Sequence, residues 1–160
     1  MVAARVDIEV VCGSAGVPST DDIRGWVEAT VAAARPGTAG PVEVAVRVVD
    51  AAEMQALNAQ YRNQDKPTNV LSFEAGEIHG LPDGAPRVLG DIVVCAPVVA
   101  AEAAAQGKPL PDHWGHMLVH GALHLLGFDH QGETDAAAME ALETRILSAS
   151  GVADPYASRD

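Results

Sequence analysis

The stretch "VEVAVRVVDAAEMQALNAQYR", Val42 to Arg62, changes its period halfway. Val42, Val44, Val46 and Val48 fall on every second position, as in a strand buried on one face. After Asp50 the spacing becomes helical. Met54, Leu57 and Tyr61 share one face, and Asp50 and Glu53 stand at capping-box spacing. Upstream, "VDIEVV" alternates Val6, Ile8 and Val10 against Asp7 and Glu9. "STDDIRGWVEATVAAARPG" opens on hydroxyl and acid caps and aligns Ile23, Trp26, Val27, Val31 and Ala34 on one face. It stops at Pro36-Gly37. Strand, helix and strand in series predict a right-handed β-α-β unit.

Downstream, the turn "NQDKP" leads to the strand-like "NVLSF". Glu74 to Arg87 is rich in Gly and Pro and reads as a loop, and "VLGDIVVC" is a fourth strand. Joined by that loop, the last two strands are expected to pair antiparallel. Three helical stretches follow. "APVVAAEAAAQG" ends near Gly107, "PDHWGHMLVHGALHLLG" carries Pro in its first turn and ends at Gly127, and "ETDAAAMEALETRILSAS" spaces Met139, Leu142 and Ile146 helically. The expectation is one α+β domain over residues 1–152, a mixed four-stranded sheet packed with about five helices, and a frayed tail over 153–160.

The chain has 160 residues and a formal net charge of −12, with only ten Lys and Arg, and these are dispersed. That balance disfavours broad nonspecific binding to polyanions, so any RNA site must be a focused patch. Cys12 and Cys95 stand far apart, and no apolar run spans a bilayer. The first residues lack a secretory layout, and the expectation is a cytoplasmic protein with no membrane partner.

Chemistry concentrates in "VHGALHLLGFDH", Val119 to His130. Four residues along a helix add about 40° to a full turn and about 6 Å of rise. His120 and His124 therefore stack on one face, with His130 beyond the Gly127 turn as a third ligand that can fold back. This places a metal site at the end of a core helix, with zinc the default and other transition ions open. His116, one turn earlier, lies about 12 Å from His124 along the axis, which argues against a shared ion. It reads as a cleft residue facing substrate, a residue behind the ligands, or a core histidine. Asp129 either orients an imidazole or braces the turn. The lone His79 in the loop reads as exposed.

Three protein ligands leave a position open, as catalytic sites do. A fourth from Cys95, Asp129 or His116 would make the metal structural. The spacing nearly matches the H-E-x-x-H helix of metallopeptidases, but Gly121 holds the glutamate's place. A glycine there costs roughly 1 kcal/mol of helix propensity. It fits either close approach of substrate or tight packing on the sheet. Without that base, phosphodiester chemistry, which needs charge stabilisation on a phosphate, suits the site better than amide hydrolysis. Arg62, before a turn, can supply that charge, with Lys66 nearby. Alternatively Arg62 merely complements its helix dipole.

"HWGHMLVHGALHLLGFDH", followed by "MEALE", together with "LNAQYRNQDKPTNVLSF" and "LGDIVV", resembles the bacterial YbeY family of metal-dependent endoribonucleases over roughly Asp50 to Ile146. The resemblance implies a mixed α+β fold and a cytoplasmic nuclease specific for single-stranded RNA. Its work would be ribosomal RNA maturation, at the 3′ end of the small-subunit RNA, and ribosome quality control, with ribosomal or ribosome-associated proteins as further partners. It maps the metal ligands onto His120, His124 and His130 and the cleft arginine onto Arg62. Asn69 stands where members commonly have an acid, Glu74 where they have proline, and Phe128 where they have tyrosine. Two other readings remain: a metal-dependent peptide or amide hydrolase, and a non-catalytic ribosome-assembly factor with a structural metal.

Overall fold

The computed structural model describes residues 4–11, 16–34, 41–75, 87–128 and 133–152. The elements are β1 (Ala4–Val10), α1 (Thr20–Ala34), β2 (Val42–Val49), α2 (Ala51–Arg62), β3 (Val70–Glu74), β4 (Arg87–Cys95), α3 (Ala96–Gln106), α4 (Leu110–Leu125) and α5 (Glu133–Ala149). The four strands form one sheet in the order β1-β2-β4-β3. β1 and β4 each pair parallel to β2, and β3 runs antiparallel to β4. This is the expected mixed α+β sheet with five helices. The expected tail, residues 153–160, and the expected Gly-Pro loop apart from its ends lie outside the described residues, as do Cys12 and His79.

Alternation determines the two faces of the sheet. Val42, Val44, Val46 and Val48, with Ile92 and Val94, bury one face in a cluster that takes in Ile23 and Val27 from α1 and Leu118 and Ala122 from α4. Val49, Val93 and Cys95 point the other way and meet Met54 of α2 and Leu71 of β3. Cys95 is therefore on the sheet face away from α4 and its histidines. Each valine buried this way contributes on the order of 1.5–3 kcal/mol relative to exposure.

The helix ends follow local chemistry. Ser19 Oγ accepts from the Asp22 amide and Asp50 Oδ1 from the Glu53 amide. The capping box is only half made, because the Glu53 carboxylate accepts from Arg47 Nε at 2.8 Å instead. At the end of α4, Gly127 has φ 98, the Phe128 amide reaches Leu123 O and the Gly127 amide reaches His124 O. That is a Schellman cap, with Phe128 packing in the same cluster as Leu123. It stops the helix within three residues of His124. Asn63, at φ 56, ends α2 one residue after Arg62.

α4 is the central helix, touching α1, α3, α5, β3 and β4. Two glycines let it sit that close. A Cβ on Gly115 would lie 2.6 Å from the Trp26 ring, and one on Gly121 2.9 Å from Ile92 Cγ2 and 3.3 Å from Ser72 Oγ and Val70 Cγ2. Of the two uses open to Gly121, the packing against the sheet accounts for it.

Candidate metal centre

His120 and His124 occupy the last two turns of α4, and both are partly exposed. Their Nε2 atoms stand 3.1 Å apart. The other nitrogen of His120, Nδ1, is 2.8 Å from Glu143 Oε1. With the carboxylate at Nδ1, Nε2 is the ring nitrogen left to face His124. Two imidazole nitrogens that share a tetrahedral ion at 2.0–2.1 Å would be about 3.3 Å apart. The pair fits such an ion with little adjustment. His130 and Asp129 lie outside the described residues.

Glu143 was not singled out from the sequence. It comes from α5 and is fully buried. Its second oxygen, Oε2, is 3.0 Å from His116 Nε2. His116 therefore faces α5 and stands behind His120, on the side away from His124. The signal was present in the spacing: Met139, Leu142, Ile146 and Leu147 form the apolar seam of α5, and Glu143 is a charge inside it.

His113 and His116 do not share a carboxylate, although they stand three positions apart on one helix. His113 is buried and turns to Glu102 of α3, with Nε2 2.9 Å from Oε1. Glu102 also accepts from Asn69 Nδ2 at 3.1 and 3.2 Å, so an amide rather than an acid at position 69 joins the start of β3 to α3. An aspartate there would set two carboxylates against each other. Burial pushes the His113 imidazole below the ordinary histidine range, against the pull of Glu102. The folded ring therefore stays neutral where the unfolded ring, near 6.5, takes up a proton. The unfolded state binds more protons, so this site lowers stability as pH falls below about 6.5. Thermal melts from about pH 8 to about pH 5.5 are expected to show a smaller loss for His113→Gln than for the parent chain. Equal losses would remove His113 as the source.

Arg62 is exposed, and its guanidinium is anchored. One terminal nitrogen donates to Ser72 O at 2.9 Å, and Cζ lies 5.1 Å from the centroid of the Phe73 ring. Tyr61 meets the same ring edge-on at 5.2 Å. Ser72 in turn donates its hydroxyl to Gly121 O at 2.9 Å. A short chain of hydrogen bonds thus runs from Arg62 through β3 to the backbone between His120 and His124. Lys66 is exposed in the turn after α2, where Asn58 Nδ2 holds its carbonyl at 2.9 Å. Glu74 is exposed at the end of β3.

The end of α4 thus pairs two imidazoles, with a buried carboxylate behind one of them and an arginine anchored to the strand that packs against the same helix. The family model described as "Endoribonuclease YbeY" matches residues 14–151. Relatives carrying that same name include a protein of Halorhodospira halophila, 56% identical over 145 residues, 91% of this chain and 92% of that one. Another, from Alkalilimnicola ehrlichii, is 53% identical over 157 residues, 96% of this chain and 93% of its own length. The solution structure of TM1509 from Thermotoga maritima superposes with a TM-score of 0.57 at 23% identity, covering 96% of this chain and all of that one. It shares the fold. This chain belongs to the YbeY endoribonuclease family. Among the described residues, no helix is long and apolar enough to cross a membrane.

Proposed function

We propose that the protein is a metal-dependent endoribonuclease that cuts unpaired RNA. Ribosomal RNA is the substrate, with maturation of the small-subunit 3′ end and ribosome quality control as its roles. The observation that carries this reading is the 3.1 Å approach of the His120 and His124 Nε2 atoms, with Arg62 anchored on Ser72 of the strand bonded to the same helix. His120, His124 and, from beyond the Gly127 turn, His130 would hold one zinc ion or a similar divalent transition ion. When bound, such an ion supplies Lewis-acid polarisation of an oxygen at the scissile phosphate. A single domain over residues 1–152 would work in the cytoplasm, away from membranes and together with ribosomal or ribosome-associated proteins.

The rest of the chemistry falls to the chain's own side chains. A guanidinium has five N–H donors, and the Ser72 and Tyr61 carbonyls take two of them, at 2.9 and 3.4 Å. Its other donors can meet phosphate oxygens as charge develops there. The Ser72 bond and the Phe73 ring hold the group still beforehand, so less freedom is lost when the phosphate arrives. Lys66 would hold the backbone as a mobile point charge. The net charge of −12 keeps RNA away from the rest of the surface, which favours delivery by partner proteins.

Gly121 distinguishes this reading from amide hydrolysis. A carboxylate at that position would point into β3 and β4, so the base a peptidase needs beside its first ligand has no room. Glu143 cannot replace it, because it faces Nδ1 of His120, on the far side of the ring from Nε2.

The test is cleavage of an unstructured RNA oligonucleotide by purified protein. Chelation is expected to abolish internal cleavage and added Zn2+ to restore it. Arg62→Ala is expected to lower kcat/KM by about 100- to 1000-fold, the usual loss for one transition-state donor. Arg62→Lys should recover part of that. Cleavage that ignores the chelator, or full activity without the guanidinium, would sink the proposal. A 2′,3′-cyclic phosphate on the product would assign the attack to the RNA's own 2′-hydroxyl.

A further inference from the structure

The geometry points to Glu143 as a positioning residue that, braced by His116, locks His120 in the tautomer a metal requires. This rests on the metal reading above and adds two residues that do not touch the ion.

Each oxygen of Glu143 has its own imidazole. Oε1 is 2.8 Å from His120 Nδ1 and Oε2 is 3.0 Å from His116 Nε2. The residue is 0% exposed, among apolar neighbours from α4 and α5. A carboxylate in such a place costs several kcal/mol of desolvation unless it is well hydrogen-bonded. An apolar residue would continue the seam formed by Met139, Ile146 and Leu147 without that cost. A charge that breaks the local pattern of a packed seam points to a use.

The use follows from the proton count. Each ring must donate to the carboxylate. For His120 this puts the proton on Nδ1 and leaves the lone pair of Nε2 directed at His124, 3.1 Å away. For His116 it puts the proton on Nε2, which holds the carboxylate by its other oxygen. His116 and His120 are one helical turn apart, with ring centroids 6.3 Å apart, so one carboxylate spans two turns and cannot rotate away from either. The negative charge also raises the basicity of His120 towards a cation, as carboxylates behind metal-bound histidines do. His116 thus acts through Glu143 and not on the ion or on RNA.

The experiment compares parent, Glu143→Gln, Glu143→Ala and His124→Ala. Zn2+ affinity is measured by competition with a chromophoric chelator. The His120 tautomer is read in the metal-free protein from long-range 1H–15N correlations of the imidazole. The parent is expected to hold its proton on Nδ1. Glu143→Gln can still accept from His120, but it loses the charge and presents an amide to His116. Its Zn2+ affinity should fall about 10- to 100-fold, with metal-free melting close to the parent's. Glu143→Ala should release the tautomer towards a proton on Nε2. A proton on Nε2 of His120 in the parent overturns the proposal, whatever the variants do. So does parent-like affinity in Glu143→Gln while His124→Ala loses the metal, since Glu143 would then be only structural. If His124→Ala also binds like the parent, the metal reading fails first.

Discussion

His124→Ala is expected to abolish both Zn2+ retention and RNA cleavage while leaving the metal-free fold nearly as stable as before. The loss of affinity should exceed the roughly 10- to 100-fold cost of removing an outer hydrogen-bond partner, because a direct nitrogen donor disappears. Cleavage should fall to the background of a chelated sample. Stability should hardly change, since His124 is partly exposed in the last turn of α4 and alanine is the best helix former. Isothermal titration with Zn2+, an RNA assay and a melt in chelator measure the three effects separately. Retained cleavage would remove His124 from the site, and a large drop in melting temperature would make its role structural.

Gly121→Glu completes the H-E-x-x-H pattern, and the expected result is a damaged fold with no peptidase activity. The new Cβ would begin 2.9 Å from Ile92 Cγ2 and 3.3 Å from Val70 Cγ2, in the contact between α4 and the sheet. Overpacking alone costs about 1–3 kcal/mol. A carboxylate forced into that apolar contact adds several kcal/mol more unless β3 moves away. Domain stabilities are commonly about 5–15 kcal/mol, so the sum is a large share of the total. Denaturant titration should show a sharply lower midpoint, and casein or peptide panels no turnover. A stable, peptide-cleaving variant would mean that position 121 faces the metal after all.

The fold was mostly legible because its rules are local. The alternating valines of β2, the cap at Asp50 and the glycine stops at Gly107 and Gly127 each act within a few residues. The pairing of His120 and His124 on α4 was legible for the same reason, a fixed helical spacing. What could not be read is tertiary. The seam of α5 marks Glu143 as a charge among apolar residues, but its partners, the rings of His116 and His120, come from another helix. His113 and His116 looked alike on a helical projection. They part because α3 brings Glu102 to one and α5 brings Glu143 to the other. The role of Gly121 likewise needed the position of Ile92 and Val70. The half-made capping box at Glu53 has the same cause: Arg47, from the neighbouring strand, competes for the side chain.

Among the described residues β3 has β4 on one side only, which makes it an edge strand. An edge with open carbonyls and amides invites another strand to pair, and natural sheets often place a charge there to prevent it. The guanidinium that donates to Ser72 O occupies one such acceptor. Arg62 therefore also places a charge on that edge, which works against strand addition.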